Sequence, residues 1–290
     1  MNTIDRRTLL ASGAAAAGAL LLPRPLRARQ EDRNLVKIGR LKQSVCRWCY
    51  EKIPDDVFFK AVRETGLTAV DLLKPAQWEP VRDLGLVCSM GSGMPGAKIP
   101  DGLNDKANHD PILKGLEENV ELAVKAGVPN LIAFFGNRKG RSDAEGIDNC
   151  IAGLNRIKPL MEQHKVTLCV EILNSKVNHK DYQGDRSSFA FQISRAVASP
   201  YVKILFDIYH VQIMEGDVIR TIRDNIDQIA HFHTGGVPGR HELDDTQELQ
   251  WRSVAKAIAD TGFKGFLAHE FIPTRDPITS LREAVALCDV

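Results

Sequence analysis

Four side chains in the second half of this 290-residue chain close four apolar runs, and together they have the chemistry of a cation site. The runs 167–170, 203–206, 229–232 and 265–269 stop at Glu171, Asp207, His233 and Glu270. A carboxylate that ends an apolar strand is costly to bury unless something pairs with it. Any one of them, alone, reads equally as an ion-pair partner or a helix N-cap. Four in succession, each one strand–helix unit from the next, read as a ligand set. Three carboxylates and one imidazole suit one divalent cation, Mg²⁺ or Mn²⁺ first and Co²⁺ or Zn²⁺ after them, whereas a structural zinc site prefers Cys and His. Such a cation stabilises negative charge on a carbonyl and its neighbouring hydroxyl, and carboxylates beside it can give and take protons.

Further candidates surround this set. His210, three residues after Asp207 in the loop leaving that strand, could stabilise or move a proton on a substrate oxygen; the plain alternative is a helix cap. Asn174 could orient a substrate hydroxyl or simply hold a turn. Arg240 and Glu242 lie in the glycine-rich loop 235–242. Arg240 could clamp a carboxylate through two parallel hydrogen bonds and Glu242 could hold a hydroxyl, or both are solvated loop charges. Lys176 and His179 are weaker candidates, and Trp48 is either pocket wall or ordinary core. Cys46-Arg-Trp-Cys49 has CxxC spacing, but without a second pair it reads as two incidental thiols.

The elements that must position these groups alternate from about residue 35 onward. Strand-like runs fall at 36–45, 69–73, 87–90, 131–135, 167–170, 203–206, 229–232 and 265–268. Stretches of helical period fall at 55–65, 112–126, 144–164, 188–198, 216–225, 251–260 and 277–287. Eight strand–helix units predict an α/β fold, a single (β/α)8 TIM barrel, whose functional groups collect where strands end. An open doubly wound sheet would show a Gly-rich phosphate loop after its first strand. Here that strand runs into Ser44-Val-Cys-Arg-Trp48 instead.

The segments Glu171-Ile-Leu-Asn174, Phe206-Asp-Ile-Tyr-His210-Val-Gln-Ile-Met-Glu-Gly216, His231-Phe-His233 and His269-Glu-Phe-Ile-Pro273 resemble the hydroxypyruvate isomerase family, within the wider xylose-isomerase-like group of sugar isomerases and epimerases. The resemblance implies one divalent cation, Glu171 and Glu270 as acid and base, and a small hydroxy-carbonyl or sugar substrate. Its leading reaction interconverts hydroxypyruvate and tartronate semialdehyde through an enediolate. A ketose 3-epimerase, a related dehydratase and a non-catalytic exported carbohydrate-binding protein are the other readings. His233 stands where bacterial hydroxypyruvate isomerases often carry Gln and ketose epimerases carry His.

Residues 1–30 read as an export segment, separate from the barrel domain at 31–290. Arg6-Arg7 precede an uncharged Ala-, Gly- and Leu-rich stretch, as in a twin-arginine signal. That stretch is too short to span a bilayer comfortably, so a periplasmic protein without stable membrane insertion is expected. The 38 basic and 37 acidic residues nearly cancel, which argues against nucleic acid as partner, since that affinity comes mostly from Lys and Arg on phosphates. A homo-oligomer is compatible with the sequence, although no residues mark an interface.

Overall fold

The computed structural model describes residues 35–290; the export segment lies outside them. Eight parallel strands close in sequence order. They are β1 Lys42–Cys46, β2 Ala69–Leu73, β3 Val87–Gly91, β4 Asn130–Phe134, β5 Thr167–Glu171, β6 Val202–Asp207, β7 Ile229–Thr234 and β8 Phe266–His269. Around them run α1 Asp55–Glu64, α2 Pro75–Asp83, α3 His109–Ala126, α4 Asp143–His164, α5 Ser187–Val197, α6 Ile208–Met214, α7 Val218–Asn225, α8 Trp251–Asp260 and α9 Pro277–Cys288. Among the described residues no helix is long and apolar enough to cross a membrane.

Three elements depart from the sequence expectation. The first strand begins at Lys42 rather than 36. Helix α2 is absent from the stretches of helical period expected above; its Pro75 occupies the first turn, where its missing N–H costs nothing. Helix α6 replaces what read as a loop after β6, so His210 stands on a helix.

The core lies between strands and helices. Phe58, Phe135, Phe206 and Phe232 are fully buried there, each contributing about 1.5–3 kcal/mol relative to exposure. The strands also bury polar groups. Gln43, Ser44, Asp71, Ser89, His231 and His269 are all at most 3% exposed. Such groups usually need partners: Asp71 and Gln43 serve Ser89 and His269, whereas Ser44 Oγ and both ring nitrogens of His231 lack a hydrogen bond. The seam between β1 and β8 is closed by register pairs Lys42↔Phe266 to Val45↔His269. It is also bridged by His269 Nε2 against Gln43 Oε1 at 2.8 Å. The seam between β3 and β4 has one register pair, Gly91↔Leu131, reinforced by Asn130 Nδ2 donating to Ser89 O at 2.8 Å.

Candidate metal centre

The strands deliver the four expected side chains to one point. Glu171 is the last residue of β5, Asp207 the last of β6, His233 sits one from the end of β7, and Glu270 follows β8 directly. Asp207 and His233 are register partners on neighbouring strands. One potential ligand atom from each of the four lies within 4.8 Å of the others, and all four residues are buried. His233 Nδ1 stands 2.7 Å from Glu270 Oε2, 3.3 Å from Glu171 Oε1 and 3.8 Å from Asp207 Oδ2. Asp207 divides its oxygens: Oδ1 caps α6 by accepting from His210 N at 3.2 Å, and Oδ2 faces the cluster. Candidate ligand and N-cap are here one residue.

The residues fit a divalent cation on their own chemistry. His233 Nδ1 is buried and has no hydrogen-bond partner, while the ring's other nitrogen is held by Asp71 Oδ2 at 2.9 Å. A carboxylate behind a ligating imidazole fixes the ring's orientation and raises its basicity. Asp71 is itself held by Ser89 Oγ and stands 3.1 Å from His231 Nε2. Cys46 Sγ approaches Asp71 Oδ2 at 3.5 Å and His233 Nε2 at 3.9 Å. Sequence reading missed Asp71, although a lone carboxylate inside the apolar run Ala69–Leu73 was a usable signal. Cys46 and Cys49 are both free thiols, in line with the reading of CxxC as incidental, but Cys46 packs behind the centre.

The two glutamates are held at different proton affinities. Burial pushes Glu171 up to about 7; the His233 contact opposes this, and the Glu270 and Asp207 charges add to it. Burial also acts upward on Glu270, but Arg240, His233 and the Trp48 N–H overcome it and bring its carboxyl down to about 2. Trp48 Nε1 donates to Glu270 Oε1 at 2.5 Å. Arg240 Nη2 reaches Asp207 Oδ2 at 2.5 Å and also touches Glu270 Oε2. Its guanidinium lies over the Tyr209 ring, 4.7 Å from the centroid.

His210 is buried, and burial together with Arg240 keeps it neutral, well below the usual imidazole range. Its Nδ1 accepts from Asn174 N at 3.1 Å, so the proton belongs on Nε2. Arg240 Nη1 lies 3.2 Å from that Nε2, and two donors cannot bond each other. Both side chains line the cavity.

A cavity of about 820 Å³ opens over the centre and is lined by Glu171, His210, Arg240, Glu270, Trp48 and His179 among others. Trp48 is a pocket wall, 39% exposed. Two expected substrate contacts lie elsewhere. Asn174 is fully buried; its Oδ1 accepts from Val177 N and Asn178 N at 2.9 Å each, so it holds the turn and orients His210. Glu242 is a correction. Its oxygens accept from Thr274 N, Thr274 Oγ1, Arg275 N and Ser280 Oγ, which turns it away from the cavity and ties the loop after β7 to the segment after β8. Lys176 is exposed and does not line the cavity.

Comparison with known proteins places the fold and the family. The family described as "Xylose isomerase-like TIM barrel" matches residues 59–289. A human protein named "Putative hydroxypyruvate isomerase" is 26% identical over 239 residues, covering 81% of this chain and 80% of its own. A "2-oxo-tetronate isomerase" of Pectobacterium atrosepticum is 24% identical over 235 residues, covering 74% of this chain and 85% of its own. Among solved structures, an AP endonuclease of family 2 from Brucella melitensis superposes with a TM-score of 0.75 at 20% identity, covering 83% of this chain and 97% of its own. That likeness is one of fold.

Proposed function

The chain belongs to the xylose isomerase-like TIM barrel family, and from that premise we propose that it is an isomerase or epimerase that moves a proton at the carbon beside a carbonyl, through an enediolate. The observation that carries this reading is the pair Glu171 and Glu270, gathered with Asp207 and His233 within 4.8 Å at the edge of the cavity. Two carboxylates facing one substrate can divide into acid and base. Glu171, Asp207, His233 and Glu270 would hold one divalent cation, which supplies charge stabilisation for the substrate's oxygens.

The chain's own groups do the rest. Glu171 and Glu270 flank the substrate, and one of the two removes the C–H proton while the other returns one to the neighbouring carbon. Arg240 and Trp48 both touch Glu270 and hold its carboxylate in place. The His210 Nε2–H and the Arg240 guanidinium donate to the oxygen on which negative charge develops. Asn174 fixes the His210 tautomer that makes this donation available. Tyr182 donates its hydroxyl to Glu171 O at 2.9 Å and anchors the end of β5.

Hydroxypyruvate, interconverted with tartronate semialdehyde, is the substrate suggested by the names of relatives. A ketose epimerised beside its carbonyl is the second reading, favoured by His233 as third ligand and by the size of the cavity. The test is Glu270→Gln in metal-loaded protein, with solvent-deuterium exchange as readout. Turnover is expected to fall about 10²–10⁴-fold with circular dichroism unchanged; near-normal exchange would refute the role given to Glu270. We also propose export through the Arg6-Arg7 segment. Replacing both arginines by lysine is expected to retain the protein in the cytoplasmic fraction, and unchanged periplasmic recovery would argue against it.

A further inference from the structure

The cavity is larger than the carbonyl chemistry requires. It measures about 820 Å³. A three-carbon keto acid of about seven heavy atoms would fill roughly a quarter of that space at the density of liquid water, whereas a two-ring sugar of about 23 heavy atoms would fill most of it. Part of the lining is the carboxylate cluster. Another part belongs to residues that no step of the proton transfer uses.

Those residues come from the segment after β1, the first residue of α1, and α2. Arg47 Nε donates to Asp55 Oδ1 at 2.6 Å, and Gln77 Nε2 donates to Asp55 Oδ2 at 2.7 Å. Arg47 Nη2 donates to Ile53 O at 2.7 Å, which leaves Nη1 as a buried donor without a partner. Gln77 Oε1 takes the Lys74 N–H at 3.1 Å, fixing which way the amide faces. Asp55 thus keeps unused lone pairs, while Arg47 and Gln77 keep unused N–H groups. Donors and acceptors held alternately match vicinal hydroxyls, each of which both gives and takes a hydrogen bond. The row is fixed before anything binds, which lowers the entropic cost of binding. Trp48, next to Arg47 in sequence, is tethered by its N–H to Glu270 and lines the same cavity. It presents a flat apolar surface suited to the C–H face of a sugar ring.

We propose that Arg47, Asp55, Gln77 and Trp48 form a second sugar subsite, and that the substrate is a ketose bearing a glycosyl substituent. The ketose carbonyl lies over Glu171 and Glu270, and the glycosyl ring rests against Trp48 and the Arg47–Asp55–Gln77 row. This deepens the isomerase reading above and rests on it. A free three-carbon acid would leave the row without a partner.

The test uses the full chain loaded with Mn²⁺ in deuterated water. Two ketose disaccharides of different linkage, lactulose and isomaltulose, are compared with fructose and hydroxypyruvate. Proton exchange is followed by NMR, and binding by calorimetry. At least one disaccharide is expected to exchange with a kcat/KM ten times or more that of fructose or hydroxypyruvate. Gln77→Ala is expected to lower the disaccharide-to-fructose ratio at least fivefold, through KM rather than kcat, with its thermal melt as the control for folding. Fructose or hydroxypyruvate handled as well as both disaccharides overturns the subsite and leaves the isomerase reading standing. Calorimetric binding of a disaccharide with no exchange on any probe overturns the isomerase reading and leaves the subsite. No disaccharide binding overturns the subsite.

Discussion

Asp71 touches no substrate, yet the centre depends on it. It holds His233 Nε2 at 2.9 Å and so aims Nδ1 at three carboxylates. Asp71→Asn keeps the shape and removes the charge. Its affinity for Mn²⁺ is expected to fall about 10–100-fold, as for other partners that orient a ligating histidine. Calorimetric titration of wild type and variant checks this, and equal affinities would remove Asp71 from the role. At this scale the four candidate ligands were legible because each interrupts an apolar run at its end, where a charge needs a partner. Asp71 was harder to place, because the imidazole it holds comes from β7, across the barrel and far away in sequence. Glu242 misled for the opposite reason: its loop supplies Arg240 to the centre, but the carboxylate two residues on faces the other way, towards Thr274 and Ser280.

Elements were legible where period and punctuation agreed. Helix α3 ends at Gly127, whose φ of 73° any other residue would adopt at a cost. Helix α4 begins where Ser142 caps Glu145 N at 3.2 Å. Helix α2 escaped notice because its two prolines outvote a weak apolar pattern, and α6 because only seven residues separate Asp207 from Glu215. Packing between elements leaves no room at Gly115 on α3, where an added Cβ would fall onto the Pro95 carbonyl. Gly115→Ala is expected to cost about 1–3 kcal/mol through overpacking, despite the better helix propensity of alanine. Urea denaturation measures it, and a gain in stability would show that the loop at Pro95 yields freely.

For the molecule as a whole, the α/β barrel and its strand order followed from eight alternating units, while the way the ring is sealed did not. His269 on β8 and Gln43 on β1 meet across the last seam at 2.8 Å, a contact between residues near opposite ends of the described chain. Burial brings His269 down to about 3, so the folded protein holds it neutral while the unfolded chain protonates it near the ordinary value of about 6.5. The unfolded state therefore binds more protons between these two values, and stability must fall as pH drops through that window. His269 alone contributes a slope of about 1.4 kcal/mol per pH unit there. Denaturant midpoints of metal-free protein between pH 7 and pH 4 check this, and a flat profile would contradict the buried neutral imidazole.

Trp48 also gives the molecule an optical handle. The chain has three tryptophans; Trp78 and Trp251 are each 2% exposed, whereas Trp48 is 39% exposed and bonded through its indole N–H to Glu270. Emission from the first two is shielded and constant, so red-shifted, acrylamide-quenchable fluorescence belongs to Trp48. Any cation that draws on Glu270, or any ring that covers the indole, should change that signal directly. Occupancy of the centre becomes readable by light, with no label and no assumed substrate.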